Sequence, residues 1–344
     1  MALILILIGV LILVVCIGVF VGSVNVPFDQ VLRILANHLF GYGDISDIRP
    51  SYDVIVWQLY FPRALMGMIV GMGLALAGVV MQAMVQNPLA DPYILGISSG
   101  ASLGATFAIL IGASTLFGGV LGTLGVAPWA FVGALVAAFA VFTLSSVGGR
   151  MTTTKLVLSG TIIASLCSAF SNLIVYIAPD ASAMRDLTFW LMGSLSTTGF
   201  ESLVLPVIVL AIALVFFLTQ MRPLNTMLLG DESATTLGVN LSTLRKVYII
   251  IVSILIAVIV CQCGVIGFVG LIIPHIARAL VGTNHWRLLP ISVLLGGIFM
   301  VAADIVARSL GDGTIPIGII TAICGAPVFA YIMIKKSYGF GGGE

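Results

Sequence analysis

Asn225-Thr226-Met227-Leu228-Leu229-Gly230-Asp231-Glu232-Ser233-Ala234-Thr235-Thr236-Leu237-Gly238-Val239-Asn240 is a polar island in an apolar chain. Apolar runs flank it at 203–218 and 247–260. Adjacent carboxylates such as Asp231 and Glu232 do not sit cheaply in hydrocarbon, so the chain leaves the bilayer here and the flanking runs cross it. The island also reads as a short capped helix. Asp231 suits the N-cap, with Glu232 beside it at the positive end of the helix dipole. Leu228, Ala234 and Leu237 offer one apolar side, and Gly238 can stop the helix in the left-handed conformation. A short helix at a membrane surface, with no catalytic residues of its own, is a docking element.

Composition agrees with that reading. The chain has 344 residues, 60% of them apolar and 8% charged, with a mean hydropathy of +1.23. Soluble domains carry about 25% charged residues, which excludes a soluble fold. The apolar runs do not alternate with period two, so a β-barrel is disfavoured. At roughly 20 residues per span the expected fold is an all-α polytopic membrane protein of about ten transmembrane helices, one domain over 1–344. The net charge of +1 and the lack of a basic, aromatic-interleaved patch argue against nucleic acid as a partner. Cys16, Cys167, Cys261, Cys263 and Cys324 all fall in apolar runs and read as small buried residues, with no metal site. The run at 2–21 lacks a basic leader and a cleavage signal, so it reads as a retained first span.

Outward from the island, spans are expected at about 2–22, 64–85, 94–113, 128–147, 156–178, 201–219, 244–264, 270–282, 289–309 and 317–334. Residues 26–39 form a short interfacial amphipathic helix, and 41–53 and 114–127 are connections. The apolar piece at 187–195 is too short to span and reads as a half-depth helix lining a cavity. Ten spans put both termini on one side. That side collects Arg150, Lys155, Arg222, Arg245, Lys246, Arg278, Arg287, Lys335 and Lys336 against Arg33, Arg49, Arg63, Arg185 and Arg308 opposite, which makes it cytoplasmic in a cell (inner) membrane. A faint echo between the segment after Arg63 and the segment after Arg245 suggests inverted repeats.

Little in the chain carries chemistry. Ser98-Ser99 with His275 could suggest an intramembrane protease, but Ser is ordinary where membrane helices pack closely. Asp304 is the only carboxylate inside a span, and Arg308 one turn later neutralises it. An ion-coupled carrier, which needs buried charges on its path, is disfavoured. No phosphate-binding loop of the G-x-x-x-x-G-K-[ST] type occurs. If the protein pumps, the nucleotide chemistry lies on another chain.

Several motifs resemble one family: Pro62-Arg63-Ala64-Leu65, Ala77-Gly78-Val79-Val80-Met81-Gln82, Asn87-Pro88-Leu89-Ala90-Asp91-Pro92 and Leu95-Gly96-Ile97-Ser98-Ser99-Gly100-Ala101. So do Phe189-Trp190-Leu191-Met192-Gly193-Ser194, Leu229-Gly230-Asp231 with Ala234 and Leu237-Gly238, and Gly267-Phe268-Val269-Gly270-Leu271-Ile272-Ile273-Pro274-His275. The match continues through Ala303-Asp304-Ile305-Val306-Ala307-Arg308 and Ile315-Pro316-Ile317-Gly318 to Gly325-Ala326-Pro327. Together they are similar to the permease subunits of iron-chelate, haem and cobalamin ATP-binding-cassette (ABC) importers. The resemblance implies the type II importer fold, a second permease copy (identical or paralogous), cytoplasmic ATPase subunits and an extracytoplasmic binding protein, with no cofactor or metal of the chain's own. It implies that 225–240 is the coupling region, with Leu229, Gly230, Asp231, Glu232, Ala234, Leu237 and Gly238 meeting the ATPase. Arg63 and Arg308 match positions that dock the binding protein, whereas Tyr60 stands where the family often has a further arginine. Ser168, Ser171, Asn172 and Tyr176 fall on the pathway by position. The implied cargo is an iron-siderophore or related chelate, with haem or a corrinoid as alternatives.

Overall fold

The 225–240 island separates two long apolar helices, as its polarity requires. The computed structural model describes residues 2–22, 24–112, 125–148, 151–178, 180–310 and 315–335. Within them the chain forms α1 (Ala2–Phe20), α2 (Phe28–Phe40), α3 (Pro50–Val85), α4 (Ile97–Leu110), α5 (Ala127–Ser146), α6 (Thr153–Ile177) and α7 (Ala181–Leu191). It continues with α8 (Phe200–Thr219), α9 (Met221–Met227), α10 (Asp231–Thr236), α11 (Leu241–Cys263), α12 (Val269–Val281), α13 (His285–Ser309) and α14 (Ile317–Lys335). Among the described residues, seven helices (α1, α3, α5, α6, α8, α11 and α13) are long and apolar enough to cross a membrane. Three shorter apolar helices (α4, α12 and the 317–331 part of α14) make up the ten.

The centre of the bundle is α3, in which every residue from Gly73 to Val85 is buried. Around it pack α11, α12 and α13. The packing is close because small residues meet. A Cβ on Gly71 would lie 2.0 Å from the Gly296 carbonyl oxygen, and one on Gly78 would lie 1.9 Å from that of Gly270. In lipid, such backbone approaches supply the dispersion contact that holds helices together. By contrast α6 buries only Leu156, Ser159, Gly160 and Cys167 and leaves an apolar face open.

Helices α3 and α13 run in opposite directions and define two ends. Gln86 after α3 and His285 at the start of α13 contact the α9–α10 segment. Arg63 on α3 and Asp304 on α13 meet at the other end. The breaks between helices are tied by hydrogen bonds. The Tyr93 hydroxyl donates to the Ile266 carbonyl at 3.0 Å, and Ser194 N–H donates to the Cys263 carbonyl at 2.8 Å. Tyr93→Phe leaves the Ile266 carbonyl without that donor. We expect it to cost about 1 kcal/mol, read as a small fall in unfolding midpoint in detergent.

The structure moves several expected boundaries. Helix α3 begins at Pro50, inside the expected loop, and passes through a π-helical stretch over Val54–Tyr60. Its polar start masks the apolar period, and tertiary stacking stabilises it. Trp57 stacks on His38 at 4.4 Å and on Phe61 at 5.2 Å between ring centroids. The half-depth helix expected at 187–195 is α7, which starts six residues earlier, at Ala181, because the Asp180 carboxylate accepts from Ser182 and Ala183 N–H. Gly193, at φ +74°, turns the chain before 195. Helix α4 is shorter than its expected 94–113, since Asp91 caps a separate turn over Pro92–Leu95. Cys16 and Cys324 are exposed on the apolar surface rather than buried. Most of the 114–127 connection, the 311–314 turn, Arg150 and Lys336 lie outside the described residues.

Candidate functional site

The island folds as two short helices, α9 and α10, joined at Leu228–Gly230. Asp231 is not the N-cap. Gly230 takes that place at φ +95°, and Asp231 is the first residue of α10. Its carboxylate turns away from the helix end because a stronger partner is near. Arg245, on the first turns of α11, grips it with two bonds: Nη1 to Oδ2 at 2.9 Å and Nη2 to Oδ1 at 2.7 Å. Parallel charged bonds of this kind are about twice as strong as neutral ones. Gln86 Nε2 adds a third bond to Asp231 Oδ1 at 2.8 Å and donates to the Met227 carbonyl at 3.0 Å. The Arg245 side chain is only 4% exposed. Its remaining reach goes to the Met151 carbonyl and the Thr153 hydroxyl, each at 3.4 Å. Asn225 holds α9 to α13: its Oδ1 accepts from His285 N–H at 2.9 Å and from His285 Nδ1 at 2.7 Å. That contact assigns the Nδ1–H tautomer from the hydrogen-bond network.

The expected coupling residues therefore divide. Ala234 is fully buried against the bundle, while Asp231 bonds to Arg245 and Gln86 with its side chain still 47% exposed. Leu229, Glu232 and Leu237 face outward, the two leucines 62% and 64% exposed. Leu237 thus does not share the apolar side with Ala234, because one turn of helix is too short to hide both. Gly230 and Gly238 hold positive φ at the two ends of α10. A groove of about 680 Å³ beside α10 is lined by Thr152, Glu232, Thr235, Thr236, Asn240 and Ser242 among others.

Between α4, α6 and α7, Ser168, Ser171 and Asn172 on α6 line one cavity of about 420 Å³, open enough that Ser168 and Asn172 are exposed. Facing them are Ser98, Ser99, Ser102 and Thr106 on α4, and Leu187 and Thr188 on α7. Sequence reading missed the α4 residues as lining. Their signal was the i, i+4 row Ser98, Ser102, Thr106, one polar stripe on a helix. Ser102 and Thr106 donate back to the Ser98 and Ser102 carbonyls at 2.8 and 2.7 Å, which satisfies them without a ligand. Tyr176 is elsewhere. It is 85% exposed on the apolar face of α6 and does not line this cavity. No charged side chain among the described residues lines the cavity. Among the described residues, no three His, Cys, Asp or Glu side chains lie close enough to hold a metal.

At the far end, Arg63 and Arg308 converge on one carboxylate. Arg63 Nε donates to Asp304 Oδ1 at 2.9 Å, and Arg308 Nε lies 2.9 Å from Oδ2. The side chains of Arg63, Arg308 and Asp304 are 13%, 2% and 0% exposed. Arg308 Nη2 also donates to the Gly18 carbonyl at 2.7 Å, and its guanidinium lies 5.4 Å from the centroid of Tyr60. The structure thus does not present Arg308 for docking. Asp304, Gly18 and Tyr60 turn it inward. Tyr60, at the position where the family often has an arginine, serves as its aromatic floor and accepts from Val24 N–H at 3.0 Å.

A bundle of ten apolar helices with a surface helix pair and a hydroxyl-lined cavity, uncharged among the described residues, fits one family by sequence. The profile of the FecCD transport family matches residues 10–335. The chain belongs to that family. It is 37% identical over 324 residues to an uncharacterized ABC transporter permease protein, YvrB, of Bacillus subtilis, covering 94% of this chain and 90% of that one. It is 40% identical to the cobalamin import system permease protein BtuC of Halobacterium salinarum, over 82% of this chain and 73% of that one. It is 37% identical to the molybdate import system permease protein MolB of Haemophilus influenzae, over 93% and 91%. A solved structure described as “an inward-facing conformation of a putative metal-chelate type ABC transporter” superposes with a TM-score of 0.81 at 33% identity, covering 97% of this chain and 99% of that one. This FecCD member is accordingly a multi-pass ABC importer permease with the type II fold, a transport subunit and not itself an enzyme. ATPase and permease partners follow from that membership.

Proposed function

We propose that this permease moves a ferric siderophore or related iron chelate into the cytoplasm by alternating access. ATP hydrolysis on a separate subunit docked at α10 drives the change, and the permease shifts between populations that the ATPase binds unequally. The observation that carries this reading is the cavity between α4, α6 and α7. Among the described residues it offers hydroxyls and one amide, with no charge and no metal-ligand cluster. Such a lining suits a metal that travels with its coordination already satisfied, because release then breaks no metal bond. A corrinoid satisfies the same condition, and the similarity to a cobalamin permease favours it as the second reading. Haem fits less well, since Tyr176, a haem-ligand candidate by sequence position, does not line this cavity.

The Lys/Arg bias puts the termini and α10 in the cytoplasm. Arg63, still partly accessible at the opposite end, is then the contact for an extracytoplasmic binding protein. The open apolar face of α6 is the place for a second permease copy. Reconstitution with the ATPase and binding protein of the neighbouring genes tests the whole assignment. ATP-dependent uptake of a ferric hydroxamate siderophore supports it. Uptake of cyanocobalamin alone replaces the cargo, and uptake without any ATPase overturns the mechanism.

The exposed side of α10 gives a sharper test. Glu232→Lys with Leu237→Asp changes two outward side chains that, among the described residues, make no hydrogen bond or ion pair within the protein. We expect at least a tenfold loss of ATPase affinity for the permease in nanodiscs, with insertion unchanged. Wild-type affinity in that variant removes α10 from the interface.

A further inference from the structure

The contacts of Arg245 have no role in a docking surface, because the side chain is 4% exposed and cannot touch a partner. They do have a direction. Through Asp231, Arg245 holds the first residue of α10; through its own backbone it belongs to α11; and through Thr153 it reaches the start of α6, the helix that lines the hydroxyl cavity. Gln86 completes a second branch. It grips both Asp231 and the Met227 carbonyl, and so spans the joint between α9 and α10 from the end of α3. Gln86 does this with its backbone at φ +55°, a left-handed conformation that a residue with a side chain seldom adopts. One turn back on α3, Gln82 is fully buried. Its Nε2 donates to the Leu271 carbonyl at 3.2 Å, at the start of α12, and its Oε1 accepts from Arg278. Side-chain bonds from Asp231 and Arg245 thus reach α3, α6 and α11, and Gln82, one turn back along the α3 backbone, ties that helix to α12.

We infer that Asp231, Arg245 and Gln86 form a strut that transmits displacement of α10 to α3, α6 and α11. They are positioning residues for transport, and contact with the ATPase falls to the opposite side of α10. The inference rests on the reading of α10 as the ATPase dock. The strut is stiff because the Arg–carboxylate pair is bidentate and one partner is desolvated, so neither end can swivel freely. Polar bonds alone do not demonstrate transmission, which has to be measured as coupling between sites.

Hydrogen exchange read by mass spectrometry does this without labels or cargo. The complex of permease and ATPase is held in nanodiscs, and Mg-ATP with vanadate is the probe. In the wild type, ATPase binding protects 231–236, and nucleotide changes exchange at 153–177 and 186–199. In Arg245→Gln we expect ATPase affinity within threefold of wild type, protection at 231–236 retained, and the nucleotide response at the remote segments reduced at least tenfold. Arg245→Lys, which keeps the charge and loses the fork, gives an intermediate response. Gln86→Gly is the second probe: glycine accepts φ +55°, so the fold is spared, and the remote response falls about threefold. A full remote response in both Arg245→Gln and Gln86→Gly overturns the strut. Lost ATPase affinity in parallel with the response assigns these residues to simple support of the dock and also overturns it. Failure of the wild type to show protection at 231–236 is a different result, since it removes the docking reading itself.

Discussion

Asp304→Leu is expected to destabilise the protein by about 3–5 kcal/mol, the range for removing one partner of a buried ion pair. The carboxylate is fully buried and holds both Arg63 and Arg308. Without it, two guanidinium groups stay desolvated with no counter-charge. Arg308 has no easy exit, because Gly18 and the Tyr60 ring hold it from the other side. The same site links α1, α3 and α13, so the loss spreads over three helices. Unfolding midpoints in detergent and accumulation in the membrane measure the effect. The physical cause has its own control. Asp304→Leu combined with Arg63→Met and Arg308→Leu removes the stranded charges and should recover most of the loss, since apolar replacement of a whole buried ion network is often neutral. If the single variant is as stable as wild type, the three charges are solvated in the protein and the buried cluster is absent.

That cluster shows what sequence could reach. Asp304 and Arg308 are four residues apart on one helix, so their pairing was legible from spacing. Arg63 is 241 residues from Asp304, and no local rule joins them. The same holds at α10. A polar island between apolar runs marked the segment as leaving the membrane. Its internal orientation turned on Arg245, fourteen residues along, and on Gln86, which is 145 residues away. Capping preference favoured Asp231 as N-cap, and a bidentate arginine outcompeted it. The start of α3 was hidden for a different reason. Tyr52, Asp53, Gln58 and Trp57 break the apolar pattern over 50–60, and the helix there is stabilised by stacking with His38, Phe61 and Phe200 instead. The α4 serine row was visible, but Ser in a membrane helix fits close packing and a wet cavity equally well. Only the positions of α6 and α7 decide between them.

Gly71→Val carries the second large effect. Gly71 on α3 and Gly296 on α13 face each other so closely that each lacks room for even a methyl group. A Cβ on Gly71 would lie 2.0 Å from the Gly296 oxygen, and a Cβ on Gly296 would lie 2.2 Å from the Gly71 oxygen. Both obstacles are backbone carbonyls inside helices, which no rotamer change can move. Overpacking a core usually costs 1–3 kcal/mol. Here the helices themselves must separate, so we expect about 3 kcal/mol or more, with loss of membrane accumulation. Lipid gives little compensation, because helices in a bilayer gain from close dispersion contact and not from expelling water. The control is Gly267→Ala. Among the described residues, no atom lies within 4 Å of a Cβ there, so that substitution should leave the unfolding midpoint unchanged. Equal stability of the two variants would show that α3 and α13 are not in backbone contact. Because these two helices connect the Arg63 end to the α10 end, a Gly71→Ala variant that still folds should separate them slightly and blunt the nucleotide response at 186–199. That outcome would place the α3–α13 crossing on the transmission route as well as in the core.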